Sequence, residues 1–436
     1  MKSRFLSDYG MVFVLLLLCA FFSVVTYSEQ SPTGEAAAKQ VSADIQAQMG
    51  KNPRVLIAAS DQPGDAAFAA RLERDLTASG AQVLATVKGE PKDAREALLK
   101  IQTSGGKLDA IACTKVTGAW LVFSDFKADF PTLGAPRLIT PRSYRWPNFL
   151  KSENLLNIAN QIAVIAIVAI GMTLVIITGG IDLSVGSLLA LSSVLAGIFI
   201  RDFAGGAEAS LGGMLLACLV AVLLCGVVGA FSGAMITQFD IPPFIVTLAM
   251  MLVGSGFAYI LAKGQSVYQI PDSFVWLGRG ADMFSLPNAV VLMLVLYALA
   301  HMVMSRMKLG RYIYAVGGNR EAARLSGVPV RRVLMFAYVA GALLAGVGGV
   351  IIASQLKSGS PTYGNMYELY VIAAVVVGGT SLSGGEGKMF GTLIGAFTIA
   401  VIQNGMNLTN VESYTQKVVL GLVILGAVLL DKLRRR

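Results

Sequence analysis

The chain has 436 residues, of which 55% are hydrophobic and only 14% are charged, and its mean hydropathy is +0.66. Ordinary soluble domains carry roughly 25% charged residues, so a purely soluble protein is excluded. Repeated apolar runs of about 18 residues or more predict a polytopic helical membrane protein. The net charge of +9 does not indicate nucleic acid as a partner, because the basic residues form no stripe with aromatic residues.

The polar inventory excludes most kinds of catalytic and metal site. His301 is the only histidine, which rules out histidine-based triads. The four cysteines are far apart in the sequence, so they indicate neither a disulfide framework nor a metal site. No Gly-Lys pair is followed by Ser or Thr, so the chain has no phosphate-binding loop of its own. We therefore expect no catalytic residue, no metal and no cofactor.

Residues 1–27 predict a first transmembrane helix. Lys2 and Arg4 precede an apolar run from about Met11 to Val25. A cleaved signal peptide is the alternative, but the small-x-small cleavage pattern is poor where that run ends. In either case the positive-inside rule keeps the two basic residues in the cytoplasm and places the following residues outside.

Residues 28–147 predict an inserted, extracytoplasmic α/β domain. After a polar linker rich in Ala and Gln, strands and helices alternate as expected for parallel strands. The predicted elements are a strand at Arg54–Ala59, a helix at Asp65–Ser79, a strand at Gln82–Val87, a helix at Pro91–Thr103 and a strand at Leu108–Cys113. This pattern resembles one lobe of a periplasmic sugar-binding protein. A structural or docking insert and an intrinsic ligand-binding lobe both remain open.

Residues 148–436 predict the transmembrane domain. Nine further apolar runs follow, at about 157–178, 184–201, 211–236, 243–262, 288–304, 333–353, 367–379, 389–405 and 417–431. With the first span they give an all-α polytopic membrane protein of about ten transmembrane helices, with both termini in the cytoplasm. The seventh to ninth of these runs are short, so a re-entrant segment among them is an alternative.

The loop 305–332 is predicted to be cytoplasmic on two independent grounds. It follows the sixth span by count, and it carries seven Lys/Arg against one acid, as the positive-inside rule requires. Asn319 can cap a short helix that Gly327 and Pro329 end. Such a short, capped helix can serve as a rigid docking element for a soluble partner. A loop that only sets the topology is the alternative.

Two glycine-rich breaks predict a translocation path or gate. Gly179–Ser187 and Gly378–Gly385 share a pattern in which Leu183 and Ser184 match Leu382 and Ser383. Broken helices at matching places in two halves of a chain often mark a transport pathway. Asp182 or Ser184 is expected to cap the next helix. Ordinary glycine-rich surface loops are the alternative. The candidate residues are Gly179, Gly180, Asp182, Ser184, Gly378, Gly379, Ser381 and Ser383.

Amide side chains within the apolar runs are further candidates for the path. Asn404 is one of them, although hydrogen bonds between helices would also account for such amides. No Asp, Glu, Lys or Arg is placed clearly in the middle of a span. Because ion-coupled carriers usually need such a charge, its absence weighs against a secondary transporter.

Four stretches in series resemble the ribose-type permease family of bacterial ABC importers. They are FLKSENLLNIANQ, IGMTLVIITGGIDLSVGSLLAL, LGRYIYAVGGNREAARLSGV and VVVGGTSLSGGEGKMFGTLIGA. The resemblance covers about residues 148–433 and the first span. The insert is a departure, since family members have only a short stretch there, and it calls into question how a free binding protein would dock.

The resemblance implies a homodimer of permeases in the bacterial inner membrane, bound to a cytoplasmic ABC ATPase and supplied by a periplasmic sugar-binding protein. It also implies that the loop 305–332 holds the coupling helix that docks into the ATPase, through Gly318, Asn319, Glu321, Ala322, Ala323 and Gly327. The permease would then not be an enzyme. An ion-coupled sugar carrier and a membrane receptor that senses ligand through the insert are the alternatives.

Overall fold

The computed structural model describes residues 2–283 and 285–434. Met1 of the predicted first span and the last two residues of the chain therefore lie outside the described residues. The chain forms two compact units: Tyr27–Pro147, and the remainder, which comprises the residues up to Thr26 and those from Asn148 onward. The second of these begins with helix α1, Lys2–Val25.

The unit Tyr27–Pro147 alternates strands and helices. Its elements are β1 Tyr27–Gln30, α2 Gly34–Gln48, β2 Arg54–Ala59, α3 Pro63–Ala78, β3 Gln82–Lys88, α4 Pro91–Thr103, β4 Ala110–Cys113, α5 Phe126–Asp129, β5 Arg137–Ile139 and β6 Tyr144–Pro147. The predicted strands and helices are thus confirmed to within a few residues. That this unit lies outside the membrane stays a proposal.

A four-stranded parallel sheet in the order β3-β2-β4-β5 forms the centre of this unit. Alternate residues of β2 point to opposite faces, as the pleat requires. Val55 and Ile57 pack against α2 and α3, whereas Leu56 and Ala58 pack against α4. Separately, β1 and β6 form an antiparallel ribbon at the two ends of the unit, with Tyr27 opposite Pro147.

The predicted polar linker before the first parallel strand is wrong, because these residues form helix α2. Its apolar residues recur on one helical face: Ala37, Ala38, Val41 and Ile45 are fully buried in the cluster that also contains Phe68. Short alanine side chains carry little apolar area, so the amphipathic pattern is weak in the sequence and becomes evident only from the packing.

The membrane unit continues with a set of mostly apolar helices. They are α6 Ser152–Ile177, α7 Val185–Phe203, α8 Leu211–Gln238, α9 Pro243–Leu261, α10 Trp276–Arg279, α11 Asn288–Arg306, α12 Lys308–Gly318, α13 Arg320–Leu325, α14 Val330–Leu356, α15 Tyr367–Val377, α16 Met389–Leu408 and α17 Ser413–Arg434. Helix α12 lies in the basic loop and was not predicted, because its charges and glycines are typical of a turn.

Seven described helices are long and apolar enough to cross a membrane, namely α6, α7, α8, α9, α11, α14 and α16. Three further apolar stretches are shorter: Gly10–Val25, Tyr367–Val377 and Ser413–Leu429. Every predicted span thus coincides with a helix. The structure shows a polytopic helical membrane protein, but it does not establish ten crossings.

Helix α6 is the centre of the membrane unit, and α14 packs closely along it. A Cβ atom built on Gly171 would lie 2.5 Å from the Cα atom of Gly341. At Gly171 the two helices therefore approach too closely for any side chain to fit between them. Small residues commonly allow membrane helices to pack in this way. The polypeptide around Gly171 is fully buried.

We expect Gly171→Ala to destabilise the protein, because its methyl group would overlap the backbone of α14. Overpacking in a close-packed interior is unfavourable, and we expect an apparent melting temperature roughly 5 °C lower or more. Gly212→Ala in α8 is the matched control, since no atom lies within 4 Å of a Cβ atom there. Thermal unfolding of the purified protein in detergent measures both. Equal melting temperatures would contradict the described packing.

Candidate functional site

The first glycine turn, residues 178–184, donates hydrogen bonds to the free carbonyl groups at the end of α6. Gly179 has a φ angle of +82°. The N–H group of Gly179 donates to the carbonyl of Ile176 at 2.9 Å, and that of Gly180 donates to Val175 at 3.0 Å. A glycine in the left-handed region commonly satisfies the last carbonyls of a helix in this way. The turn is therefore a defined structure rather than a loose loop.

Asp182 fixes the shape of the first glycine turn. Its Oδ1 atom accepts hydrogen bonds from the N–H group of Ser184 at 2.8 Å and from the Ser184 hydroxyl at 2.6 Å. Both side chains are buried. Ser184 immediately precedes α7, but its side chain accepts no hydrogen bond from that helix. The expectation that Asp182 or Ser184 caps α7 is thus wrong, because their side chains bond each other.

The second glycine turn, residues 378–388, repeats this arrangement after α15. Gly379 has a φ angle of +88°, and its N–H group donates to the carbonyl of Val376 at 2.9 Å. The hydroxyl of Ser381 accepts from the N–H group of Ser383 at 3.1 Å, as Asp182 does from Ser184. The similarity of the two sequences therefore extends to their hydrogen bonds, although the left-handed glycine is shifted by one position.

The two glycine turns are in direct contact. The N–H group of Gly385 donates to the carbonyl of Ile177, the last residue of α6, at 2.8 Å. A Cβ atom on Gly384 would lie 3.1 Å from the backbone nitrogen of Gly179. Residues about 200 positions apart in the sequence thus form one glycine-lined junction.

Helix α12 of the basic loop packs onto the same junction. A Cβ atom on Gly317 would lie 1.7 Å from the carbonyl oxygen of Ile177 and 2.5 Å from the nitrogen of Gly385. The Tyr314 hydroxyl donates to the carbonyl of Gly387 at 2.7 Å. The end of α12 therefore touches the last residue of α6 and the second glycine turn at once, and only glycine fits at position 317.

Helix α13 projects from this junction. The Asn319 side chain accepts from the N–H group of Ala322 at 2.9 Å, so the predicted cap is confirmed. Glu321 pairs with Arg324 at 2.9 Å. The other predicted coupling residues are exposed, namely Gly318, Asn319, Glu321, Ala322 and Gly327, whereas Ala323 is buried and anchors the helix. Leu325 is 82% exposed, so a large apolar side chain stands free at the tip.

Two buried hydroxyl groups at the glycine turns have no hydrogen-bond partner among the described residues. They belong to Tyr338 of α14 and to Thr380. The Tyr338 oxygen would lie 2.3 Å from a Cβ atom on Gly180, and the Thr380 oxygen 2.7 Å from one on Gly387. Buried polar groups are nearly always satisfied. These two hydroxyls are therefore exceptions at the glycine turns.

Asn404 lies elsewhere. Its side chain forms reciprocal hydrogen bonds with Asn154, at 3.0 Å and 2.8 Å. Asn154 is in the first turn of α6, whereas the glycine turns adjoin the last turn of that helix. The structure thus brings the glycine-turn residues together and leaves Asn404 in a contact between helices.

The sequence also left a ligand-binding role open for the unit Tyr27–Pro147. At the carboxyl ends of β2 and β4, Asp65 accepts hydrogen bonds from the Ser60 hydroxyl at 2.7 Å and from the Thr114 hydroxyl at 3.3 Å. Thr117 bonds the Ala58 carbonyl at 2.7 Å. These polar groups satisfy one another, which favours a structural role for them.

Sequence reasoning missed Gly317, Tyr314 and Tyr338. Gly317 belongs to a Gly-Gly pair, which is a signal for close backbone approach, but the pair was assigned to a loop. The tyrosines gave no signal, because their roles depend on neighbours distant in sequence. Within the described ranges, no group of three or more His, Cys, Asp or Glu side chains could hold a metal ion.

Comparison with known proteins identifies relatives of the membrane unit. The family model described as branched-chain amino acid transport system / permease component matches residues 154–428. The ribose import permease protein RbsC of Escherichia coli (strain K12) is 43% identical over 289 residues, which are 65% of this chain and 87% of that protein. RbsC of Bacillus subtilis (strain 168) is 42% identical over 305 residues, 69% of this chain and 92% of that protein.

A relative named for a different sugar is also similar. The D-allose transport system permease protein AlsC of Escherichia coli (strain K12) is 34% identical over 285 residues, which are 65% of this chain and 85% of that protein. No solved structure matches the chain significantly. From the family match and these relatives, the chain belongs to the family of multi-pass membrane permease components of ABC importers.

Proposed function

We propose that this chain is the permease subunit of an ATP-binding-cassette importer that moves a monosaccharide such as ribose into the cytoplasm. The observation that carries the proposal is the direct packing of α12, from which α13 projects, on the last carbonyl of α6 and on the second glycine turn. A soluble partner that grips α13 thereby acts on the two places where membrane helices are interrupted. The names of the relatives support ribose or a similar sugar as cargo.

The charge distribution supports the orientation. The basic loop 305–332 lies on the cytoplasmic side, together with both termini, because Lys and Arg are retained there. The second glycine turn contacts this loop, and the first glycine turn contacts the second, so both turns lie at the same face. The unit Tyr27–Pro147 lies on the periplasmic side, where long translocated segments are exempt from the charge rule.

Three partners complete the proposed importer. A cytoplasmic ATPase subunit docks on α13 and hydrolyses ATP, a second copy of the permease completes the pathway, and a periplasmic sugar-binding protein delivers the cargo. Membrane lipid surrounds the apolar faces of the bundle. The unit Tyr27–Pro147 stands on the side from which cargo arrives, and it serves as a docking element there.

Movement at the glycine junction is the proposed coupling step. When the ATPase closes, it displaces α13, and α12 transmits the displacement to the carbonyl of Ile177 and to Gly385. The helices that flank the two turns then tilt and switch access to the path.

The proposed function predicts ATP-driven uptake of labelled ribose by the chain reconstituted with its ATPase and its sugar-binding protein. No uptake is expected when ATP is omitted. An ion-coupled carrier, the alternative, would take up ribose on a proton or sodium gradient with no ATPase present. Uptake of that kind in proteoliposomes that contain the permease alone would overturn the proposal.

We expect Leu325→Asp to prevent docking of the ATPase, because a charge would replace the exposed apolar tip of α13. The measurement is co-purification of the ATPase with the permease from membranes, with an expected loss of about tenfold or more, as for a buried interface anchor. Leu121→Asp is the matched control, since Leu121 is 85% exposed in the unit Tyr27–Pro147. Equal recovery of the ATPase with both variants would contradict the docking role.

We expect Gly317→Ala to uncouple ATP hydrolysis from uptake, because a methyl group there separates α12 from the two turns. Uptake should fall about tenfold or more while the ATPase still co-purifies, since the exposed surface of α13 is unchanged. Gly421→Ala in α17 is the control, as no atom lies within 4 Å of a Cβ atom there. Normal uptake by Gly317→Ala would show that the junction transmits no motion.

A further inference from the structure

The chain between α14 and α15 is not helical, although it lies among membrane helices. This unwound segment, residues 357–366, exchanges backbone hydrogen bonds with Val267 through Gly359, at 2.6 Å and 3.0 Å. A Cβ atom on Gly364 would lie 2.3 Å from the carbonyl oxygen of Gly186, in the first turn of α7. Non-helical backbone at membrane depth is tolerated only when it is buried in protein or lines a polar cavity.

A carboxylate lies at the end of the unwound segment. Glu368 is in the first turn of α15, and its Oε2 atom would lie 2.4 Å from a Cβ atom on Gly186. It forms no salt bridge with any other described residue. The sequence had placed Glu368 at the start of a span, whereas the structure places its carboxylate against α7. The first turns of α7 and α15 favour a negative charge here.

A cavity of about 230 Å³ opens beside this carboxylate, between α7, α9 and the unwound segment. Its polar lining comes from Ser187, Ser255, Tyr363, Asn365 and Glu368. Sites for drug-sized ligands typically measure roughly 300–1,000 Å³. The cavity therefore suits a small ligand that can use several hydroxyl and amide groups together with one carboxylate.

We propose that this cavity is a binding station for one neutral polyhydroxylated ring during translocation, with Glu368 accepting hydrogen bonds from the sugar hydroxyls. The inference rests on the proposed function and adds the residues that contact the cargo. A carboxylate forms strong, charge-assisted hydrogen bonds with O–H donors, whereas it repels phosphorylated or other anionic cargo. A single acidic group is too few ligands for a divalent cation.

The position of the cavity links it to the cytoplasmic junction. Gly186 and Ser187 are the second and third residues after Ser184, which Asp182 holds in the first glycine turn. Ser187 donates to the Ser184 carbonyl at 2.8 Å. A displacement of the first glycine turn therefore moves one wall of the cavity relative to Glu368, and this changes the site's affinity for sugar between the two arrangements.

The test is ATP-driven ribose uptake by the reconstituted complex of permease, ATPase and sugar-binding protein. We expect Glu368→Gln to lower the initial rate about tenfold, as for the loss of a hydrogen bond to a charged group. ATPase activity and co-purification of the ATPase should remain at the wild-type level. Glu412→Gln, at an exposed position before α17, is the matched control and should leave uptake unchanged.

Ligand-observed NMR with the purified permease alone tests the chemical class of the ligand. Saturation transfer to ribose should be present with the wild type and with Glu412→Gln, and lost with Glu368→Gln. Ribose 5-phosphate should give no signal. Binding of leucine in preference to ribose would overturn the proposed class, because an ammonium group would then be the partner of Glu368.

The outcomes separate this inference from the proposed function. If the wild-type complex transports no sugar with ATP, the proposed function fails. If the wild type transports and Glu368→Gln transports equally well, only the binding station is overturned. Should Glu368→Gln fail to fold, Asn365→Ala decides, since that side chain is exposed and lines the cavity. It should lower uptake several-fold, and unchanged uptake would overturn the proposal.

Discussion

The membrane unit depends on one close contact between backbones, the glycine-lined junction, in which there is no room for side chains. The last carbonyl of α6, the second glycine turn and the end of α12 come so close that no Cβ atom fits at Gly317. Because a packed backbone contact has almost no freedom to compress, a displacement of any one of the three segments must be shared by the others. The hydrogen bond from the N–H group of Gly385 to the carbonyl of Ile177 also fixes the orientation of the second turn relative to the end of α6. The basic loop and the interrupted helices therefore behave as one mechanical element.

Much of the fold follows from local patterns in the sequence. The apolar runs locate the membrane helices, and the alternation of strands with helices locates β2, α3, β3, α4 and β4, because both signals depend only on residues close together in the sequence. Helices α2 and α12 escape this reasoning. The face of α2 that packs is largely alanine, whereas the charges and glycines of α12 are typical of a turn. The stability of both helices comes from the surfaces on which they pack.

The candidate site divides in the same way. The repeated glycine turns and the cap at Asn319 are visible in the sequence, since turns and caps require particular residue types at fixed spacing. The contact between the two turns is not visible in the sequence, because Gly179 and Gly384 are far apart along the chain. Glu368 is also difficult to place from the sequence. Its position predicts the end of a helix, but the unwound segment before α15 places this helix end between other membrane helices. Asn404, a candidate residue of the path, pairs with Asn154, and this contact too joins residues far apart in the sequence.

The ribbon formed by β1 and β6 bears on how such a chain could have arisen. Because Tyr27 stands opposite Pro147, the polypeptide enters and leaves this unit of 121 residues at neighbouring points. Such an arrangement lets a gene acquire, exchange or discard the whole segment without altering the spacing of the flanking helices. A chain with this segment and a chain without it would then be variants of one architecture, distinguished by what lies between two adjacent strands.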